Sequence, residues 1–140
     1  MTTPPHQYRH STNHAWVIAL GHCFVFLALW SVFIKYLFPL IYSAAYGLPL
    51  ASHIYWDLWP LAHLWLAWAL IRQAPYQRRL AAAMSVVEII IIVTFFARFL
   101  SDPEWTIWRT NWFINKVFVL AAFVALLYLV LAKPQYFGKR

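Results

Sequence analysis

The chain has 140 residues, of which 64% are apolar and only 11% charged, and a formal net charge of +7. A soluble domain carries about a quarter charged residues, so a soluble globule this small, with so much apolar surface to hide, is excluded. The cations stand beside the ends of apolar runs, which points to membrane topology and away from nucleic acid.

A spanning helix needs roughly 20 apolar residues to cross about 30 Å of hydrocarbon. Strands are a poor alternative, because the apolar runs do not alternate and four strands cannot close a barrel. Residues 1–15 are polar and contain Pro4, Pro5, His6, Arg9, His10 and His14. They read as a flexible tail, not a signal peptide, since the apolar run that follows is long and no small-residue cleavage site closes it. The first span is expected from about Trp16 to Leu37. Cys23 within it is the only cysteine, so no disulfide forms inside the chain. Residues 38–51 carry no charge but include Pro39, Gly47 and Pro49, which suits a segment lying in the interface or re-entering the membrane.

The second span is expected from Ser52 to Ile71, with a kink near Trp56 caused by Pro60. The third runs from Leu80 to Leu100, and its Ile89–Ile92 surface suits lipid or a partner chain. Ser101-Asp102-Pro103-Glu104 reads as a capping box with proline in a first helical turn. Trp105, Trp108 and Trp112 follow at i, i+3, i+7, so the pattern predicts a short amphipathic helix at the outer interface. The fourth span runs from Trp112 to Leu131, where Ala121, Ala122 and Ala125 would allow close helix approach. The fold class is therefore an all-α integral membrane protein: four transmembrane helices, with an additional short interfacial helix before the fourth. Its parts are an N-terminal tail (1–15), a transmembrane domain (16–131) and a C-terminal tail (132–140).

Four crossings place both ends on one side. Arg9, Arg72, Arg78, Arg79, Lys133, Lys139 and Arg140 then share that side, with no acid, while Lys35, Arg98, Arg109 and Lys116 lie at the other with Asp57, Asp102 and Glu104. The positive-inside rule makes the first side cytoplasmic, in a bacterial inner membrane or its equivalent. Trp30, Trp56, Trp59, Trp105, Trp108 and Trp112 fall near the outer boundary as an aromatic belt; Trp65 and Trp68 lie deeper.

Ionisable residues within spans are costly and face a partner or a cavity. His22, His63 and Glu88 fall at a common depth, roughly 9–12 Å from the cytoplasmic boundary at 1.5 Å per residue. Three readings compete for this intramembrane polar cluster. It holds the bundle together through hydrogen bonds; or His22 and His63 bind a cofactor, as axial ligands of haem or of a chlorophyll magnesium; or the residues relay protons. At the outer face, His53 and Asp57 share a helix face, as do Arg98 and Asp102, with Lys35, Glu104, Arg109 and Lys116 nearby. These are read as interfacial ion pairs and snorkelling side chains, or else, together with Trp105, Trp108 and Trp112, as a docking surface for another subunit or an electron carrier.

No P-loop, GxSxG, HExxH, CxxC or CxxCH motif occurs, and only three glycines are present. A non-catalytic subunit of a larger respiratory or photosynthetic membrane complex is the expectation. Such a subunit would contact lipid and other subunits, pack and anchor them, and suit a haem, a chlorophyll or bacteriochlorophyll, a carotenoid or a quinone. The alternatives are a haem b-carrying electron-transfer anchor using His22 and His63, and a small proton-coupled transporter using Glu88.

Overall fold

The computed structural model describes residues 5–50, 54 and 57–137, with side chains from Ala15 onward. Every regular element among them is helical: α1 (Pro5–Val32), a π-helical turn (Phe33–Leu37), α2 (Phe38–Ala45), α3 (Trp59–Ile71), α4 (Gln77–Ser101), α5 (Ile107–Ala132) and a 3-10 turn (Pro134–Phe137). Three helical segments are long and apolar enough to cross a membrane: Ala15–Ala45, Gln77–Ser101 and Ile107–Ala132. Together with the shorter apolar α3, they make an architecture compatible with a helical membrane protein.

The first apolar segment departs most from expectation. Helix α1 starts at Pro5, inside the expected tail, because proline suits a first turn and neither proline nor glycine interrupts the chain until Gly21. At its far end the helix passes through residues 38–45, where an interfacial or re-entrant segment was expected. The cause is local. Pro39 lacks an N–H and its ring crowds the carbonyl four residues back, that of Lys35. The backbone widens into a π turn just before it, and the Phe38 N–H bonds to the Phe33 carbonyl five residues earlier. The axis continues to Ala45 and stops at Gly47, which takes φ +65° while the Leu48 N–H reaches back to the Ser43 carbonyl at 2.8 Å.

Helix α3 is shorter than the expected second span. It begins at Trp59, and Pro60 occupies its first turn instead of kinking it, so the missing N–H costs no helical bond. Thirteen residues give about 20 Å, short of the hydrocarbon thickness. The helix ends at Arg72, with Gln73 at φ 50° and the Ala74 N–H on the Ala69 carbonyl at 2.9 Å.

The separate interfacial helix is absent. Ser101 closes α4 and does not open a new helix, and residues 103–106 are irregular. The cap of α5 is Thr106, whose hydroxyl accepts the Arg109 N–H at 3.3 Å. A capping box needs serine to precede a helix; here the apolar pattern of α4 carries straight through it. Trp105 thus lies in the loop, while Trp108 and Trp112 belong to α5.

Packing makes two helix pairs, α1 with α3 and α4 with α5. In the first pair, Gly21 lets the helices approach closely: a Cβ there would come 2.7 Å from Ile71 Cγ1 and 3.1 Å from the Ala67 carbonyl. Ala121 and Ala125, expected to serve this purpose, are exposed. In the second pair, Phe96 stacks on Phe113 at 4.6 Å and Phe99 meets Trp105 edge-on at 4.8 Å. Phe123 of α5 joins the pairs, 4.9 Å from the Phe24 ring and 5.2 Å from that of His63. At the basic end the 3-10 turn tucks beneath the helices: Phe137 is buried, and the buried Gln77 amide donates to its carbonyl at 3.4 Å.

Candidate functional site

The seam between the two pairs holds the buried charges. Glu88 is the twelfth residue of the 25-residue α4, so it stands at mid-helix, and it is fully buried at 0% exposure. Its Oε2 accepts the Trp59 indole N–H. Its Oε1 lies 3.3 Å from the Lys116 ammonium and 3.7 Å from His63 Nε2. Trp59 and His63 are four apart on α3 and share one face, so the first pair supplies both of them while the second supplies Glu88 and Lys116. Lys116 and His63 are themselves buried. A carboxylate placed so deep is tolerable only with a partner and hydrogen bonds, and this one has both.

A line of polar contacts leads from this cluster toward the acidic end. The Trp59 backbone N–H donates to Asp57 Oδ1 at 3.0 Å, Asp57 is paired with the Lys35 ammonium, and the Tyr36 hydroxyl donates to the Asp57 carbonyl at 2.8 Å. Lys35 and Tyr36 are neighbours in the π turn, so Pro39 indirectly positions the two side chains that hold Asp57. Trp59 links both levels, its backbone bonded to Asp57 and its indole to Glu88.

The expected cluster is brought together in part. His63 and Glu88 meet. His22 does not join them; it is exposed on α1, with Nδ1 2.8 Å from the Ile18 carbonyl. Among the outer residues, His53 lies outside the described residues. Arg98 is exposed, its carbonyl accepting the Ser101 hydroxyl at 2.7 Å, and Asp102 is exposed just past the end of α4. Glu104 pairs with Arg109 at 3.1 Å, both in the open. Trp105 packs on Phe99 and on Phe113, Trp108 packs on Phe38 and Tyr42, and Trp112 touches Phe95, Phe96 and Phe99. Trp65 and Trp68 are each 52% exposed, so they face outward, whereas His63 is buried.

The sequence pattern puts two members of the cluster elsewhere: Lys116 among the snorkelling cations and Trp59 in the aromatic belt. The available signal is position: Lys116 lies four residues past Trp112, inside the apolar run, and Glu88 requires a cation. No group of three or more His, Cys, Asp or Glu side chains placed to hold a metal ion occurs among the described residues. No family model, curated protein or solved structure matches the chain. The chemistry must therefore be argued from the seam itself. It can hold an ion pair, and it can move a proton between a carboxylate, an ammonium and an imidazole.

Proposed function

We propose that this chain is a small non-catalytic transmembrane subunit of a larger energy-transducing complex, respiratory or photosynthetic. In this reading it makes four crossings, with both termini on the cytoplasmic side of a bacterial inner membrane. The second crossing is α3 together with the chain around it: Asp57 lies level with Lys35, so the descent begins there and ends at the Arg72–Arg79 loop. The observation that carries the proposal is how the buried charges are used. Both Glu88 oxygens are engaged within the protein, by Trp59 and Lys116, so the cluster clasps the two helix pairs. What the helices offer outward is apolar and aromatic, as in Phe26, Ile90, Phe118 and Tyr128.

His22 is the residue that suits a cofactor. With Nδ1 held by the Ile18 carbonyl, Nε2 is left free on an exposed helix face, available as an axial ligand to a haem or chlorophyll at a subunit boundary. His63 is enclosed by Trp59, Phe123 and Glu88. A haem ligated by both histidines of one chain gains no support from one exposed and one enclosed imidazole.

The test is gentle-detergent purification from the native membrane, with a visible spectrum and mass spectrometry on the same fraction. Redox or pigment-binding subunits should co-purify at fixed stoichiometry, and deletion of this chain should lower the yield of their complex. A colourless chain eluting alone or only with itself overturns the proposal. A second reading, a proton-coupled transporter working through Glu88, draws on the placement of that carboxylate at a seam between two helix pairs. It requires a transport activity in reconstituted vesicles that Glu88→Gln abolishes without unfolding the protein.

A further inference from the structure

The basic end of the molecule carries charge that no acidic side chain neutralises. Arg72, Arg78, Arg79 and Lys133 are exposed there. The chain has four acidic residues. Asp57 pairs with Lys35, Glu88 with Lys116 and Glu104 with Arg109, while Asp102 lies past the far end of α4. Tight turns connect the segments that bear the cations. The Arg72 N–H bonds to the Trp68 carbonyl, the Ala74 N–H to that of Ala69 and the Gln77 N–H to that of Ala74, each at 2.9 Å. Gln77, between Tyr76 and Arg78, donates its amide to the Phe137 carbonyl, so the 3-10 turn that follows Lys133 sits at the same end.

Membrane topology accounts for the sign of these charges, but not for what stands beside Arg72. Trp65, Trp68 and Arg72 are spaced i, i+3, i+7, and Arg72 keeps helical backbone angles at the end of α3, so the three share one face. Both indoles on that face are exposed. Tyr76 folds back against it: its ring lies 6.2 Å from that of Trp65, and its hydroxyl accepts the Trp65 indole N–H at 3.4 Å. That leaves the Tyr76 O–H to donate. Within about 10 Å of helix, the face thus passes from aromatic surface to a hydroxyl donor and a guanidinium. The order matches a phospholipid, apolar along its acyl chain and anionic at its phosphate, which a guanidinium can bind through two oxygens at once. A free phosphate ion would leave the indoles unused. An acidic protein segment would meet the cations but not the aromatic stripe below them.

We infer that the α3 face formed by Trp65, Trp68 and Arg72, with Tyr76 at its edge, binds an anionic phospholipid, its phosphate at Arg72 and one acyl chain along the two indoles. Arg78, Arg79 and Lys133 at the same end favour a negative headgroup over a zwitterionic one. The inference rests on α3 lying in a bilayer and is independent of any parent complex, because the isolated chain carries the whole site.

The test is tryptophan fluorescence of the full chain, reconstituted in phosphatidylcholine bilayers that contain a small fraction of phosphatidylglycerol with brominated acyl chains, which quench an indole on contact. The signal of the site is the difference between the unaltered protein and its Trp65→Phe/Trp68→Phe variant. Brominated phosphatidylglycerol should quench that signal at a several-fold lower mole fraction than brominated phosphatidylcholine. Arg72→Gln should raise the fraction needed by about fivefold, the worth of one cation at a membrane surface. Arg72→Gln leaves Arg78, Arg79 and Lys133 in place, and Tyr76→Phe, which removes only the hydroxyl, should weaken quenching in the same direction if Arg72→Gln fails to fold. Arg98→Gln, at the opposite end, should change nothing. Equal quenching by the two lipids overturns the inference, and so does an Arg98→Gln effect as large as that of Arg72→Gln, which would mark general attraction to charge. Loss of the lipid preference on adding inorganic phosphate at constant ionic strength would identify a site for the free ion and likewise overturn it.

Discussion

Replacing Lys116 with methionine keeps the stem of the side chain and removes its charge. Glu88 then stays at 0% exposure with the Trp59 indole as its remaining donor and loses the ammonium 3.3 Å away. Removing one partner of a buried pair costs about 3–5 kcal/mol, most of it the penalty for an uncompensated charge. Glu88→Gln leaves the ammonium unpaired in the same place and should cost a comparable amount. The double variant Glu88→Gln/Lys116→Met has no buried charge, and replacing a whole pair is often neutral or stabilising by about 1–4 kcal/mol. Its loss should therefore be far smaller than the sum of the two single losses. Reversible unfolding in mixed micelles, titrated with a denaturing detergent and followed by tryptophan fluorescence, gives all three values for a double-mutant cycle. Single losses below about 1 kcal/mol, or losses that add in the double variant, would refute the claim that this pair clasps the helix pairs.

Three further outcomes are expected. Gly21→Leu forces side-chain atoms into the α1–α3 contact, where even a Cβ meets Ile71 at 2.7 Å, and should destabilise by about 1–3 kcal/mol in the same unfolding assay. Thr106→Ala removes the hydroxyl that accepts the Arg109 N–H and should cost about 1 kcal/mol, with faster amide exchange confined to the first turn of α5. In a Cys23→Ser background, a cysteine replacing Lys133 and one replacing Asp102 should react with a membrane-impermeant maleimide from opposite faces of sealed inverted vesicles. Labelling of both from one face would overturn the four-crossing topology.

The helical character of the chain was legible because apolar length alone decides it: residues 80–100 and 112–131 read as helices and lie within α4 and α5. The ends were less legible, because the same residues serve two purposes. Pro60 reads as a kink in the middle of an apolar run and as a start at its edge, and the choice depends on whether Asp57 and Leu58, just before α3, are helical. Ser101 and Glu104 satisfy a capping pattern, but the apolar periodicity of α4 overrides it. The site was half legible. Burial cost singles out His63 and Glu88 from composition alone. Lys116 was concealed by its length: a lysine near a helix end reads as snorkelling to water, and only the helix packing shows its stem turned inward toward Glu88. His22 is the opposite case: it shares the depth of His63 and Glu88 but is exposed, since depth along a helix says nothing about which face a residue occupies.

The short connection between α4 and α5 bears on how the protein enters a bilayer. Glu88 and Lys116 each oppose insertion of their own helix, by about 2.5–3.5 kcal/mol for a charge at mid-helix. The two helices are consecutive and joined by residues 102–106 alone, so they can leave the insertion machinery together as a hairpin, with carboxylate and ammonium already facing each other. Neither charge then meets lipid unaccompanied. The α1–α3 pair, which supplies the Trp59 and His63 side chains, is synthesised earlier and waits for that hairpin. The order of synthesis thus matches the order in which the seam can close.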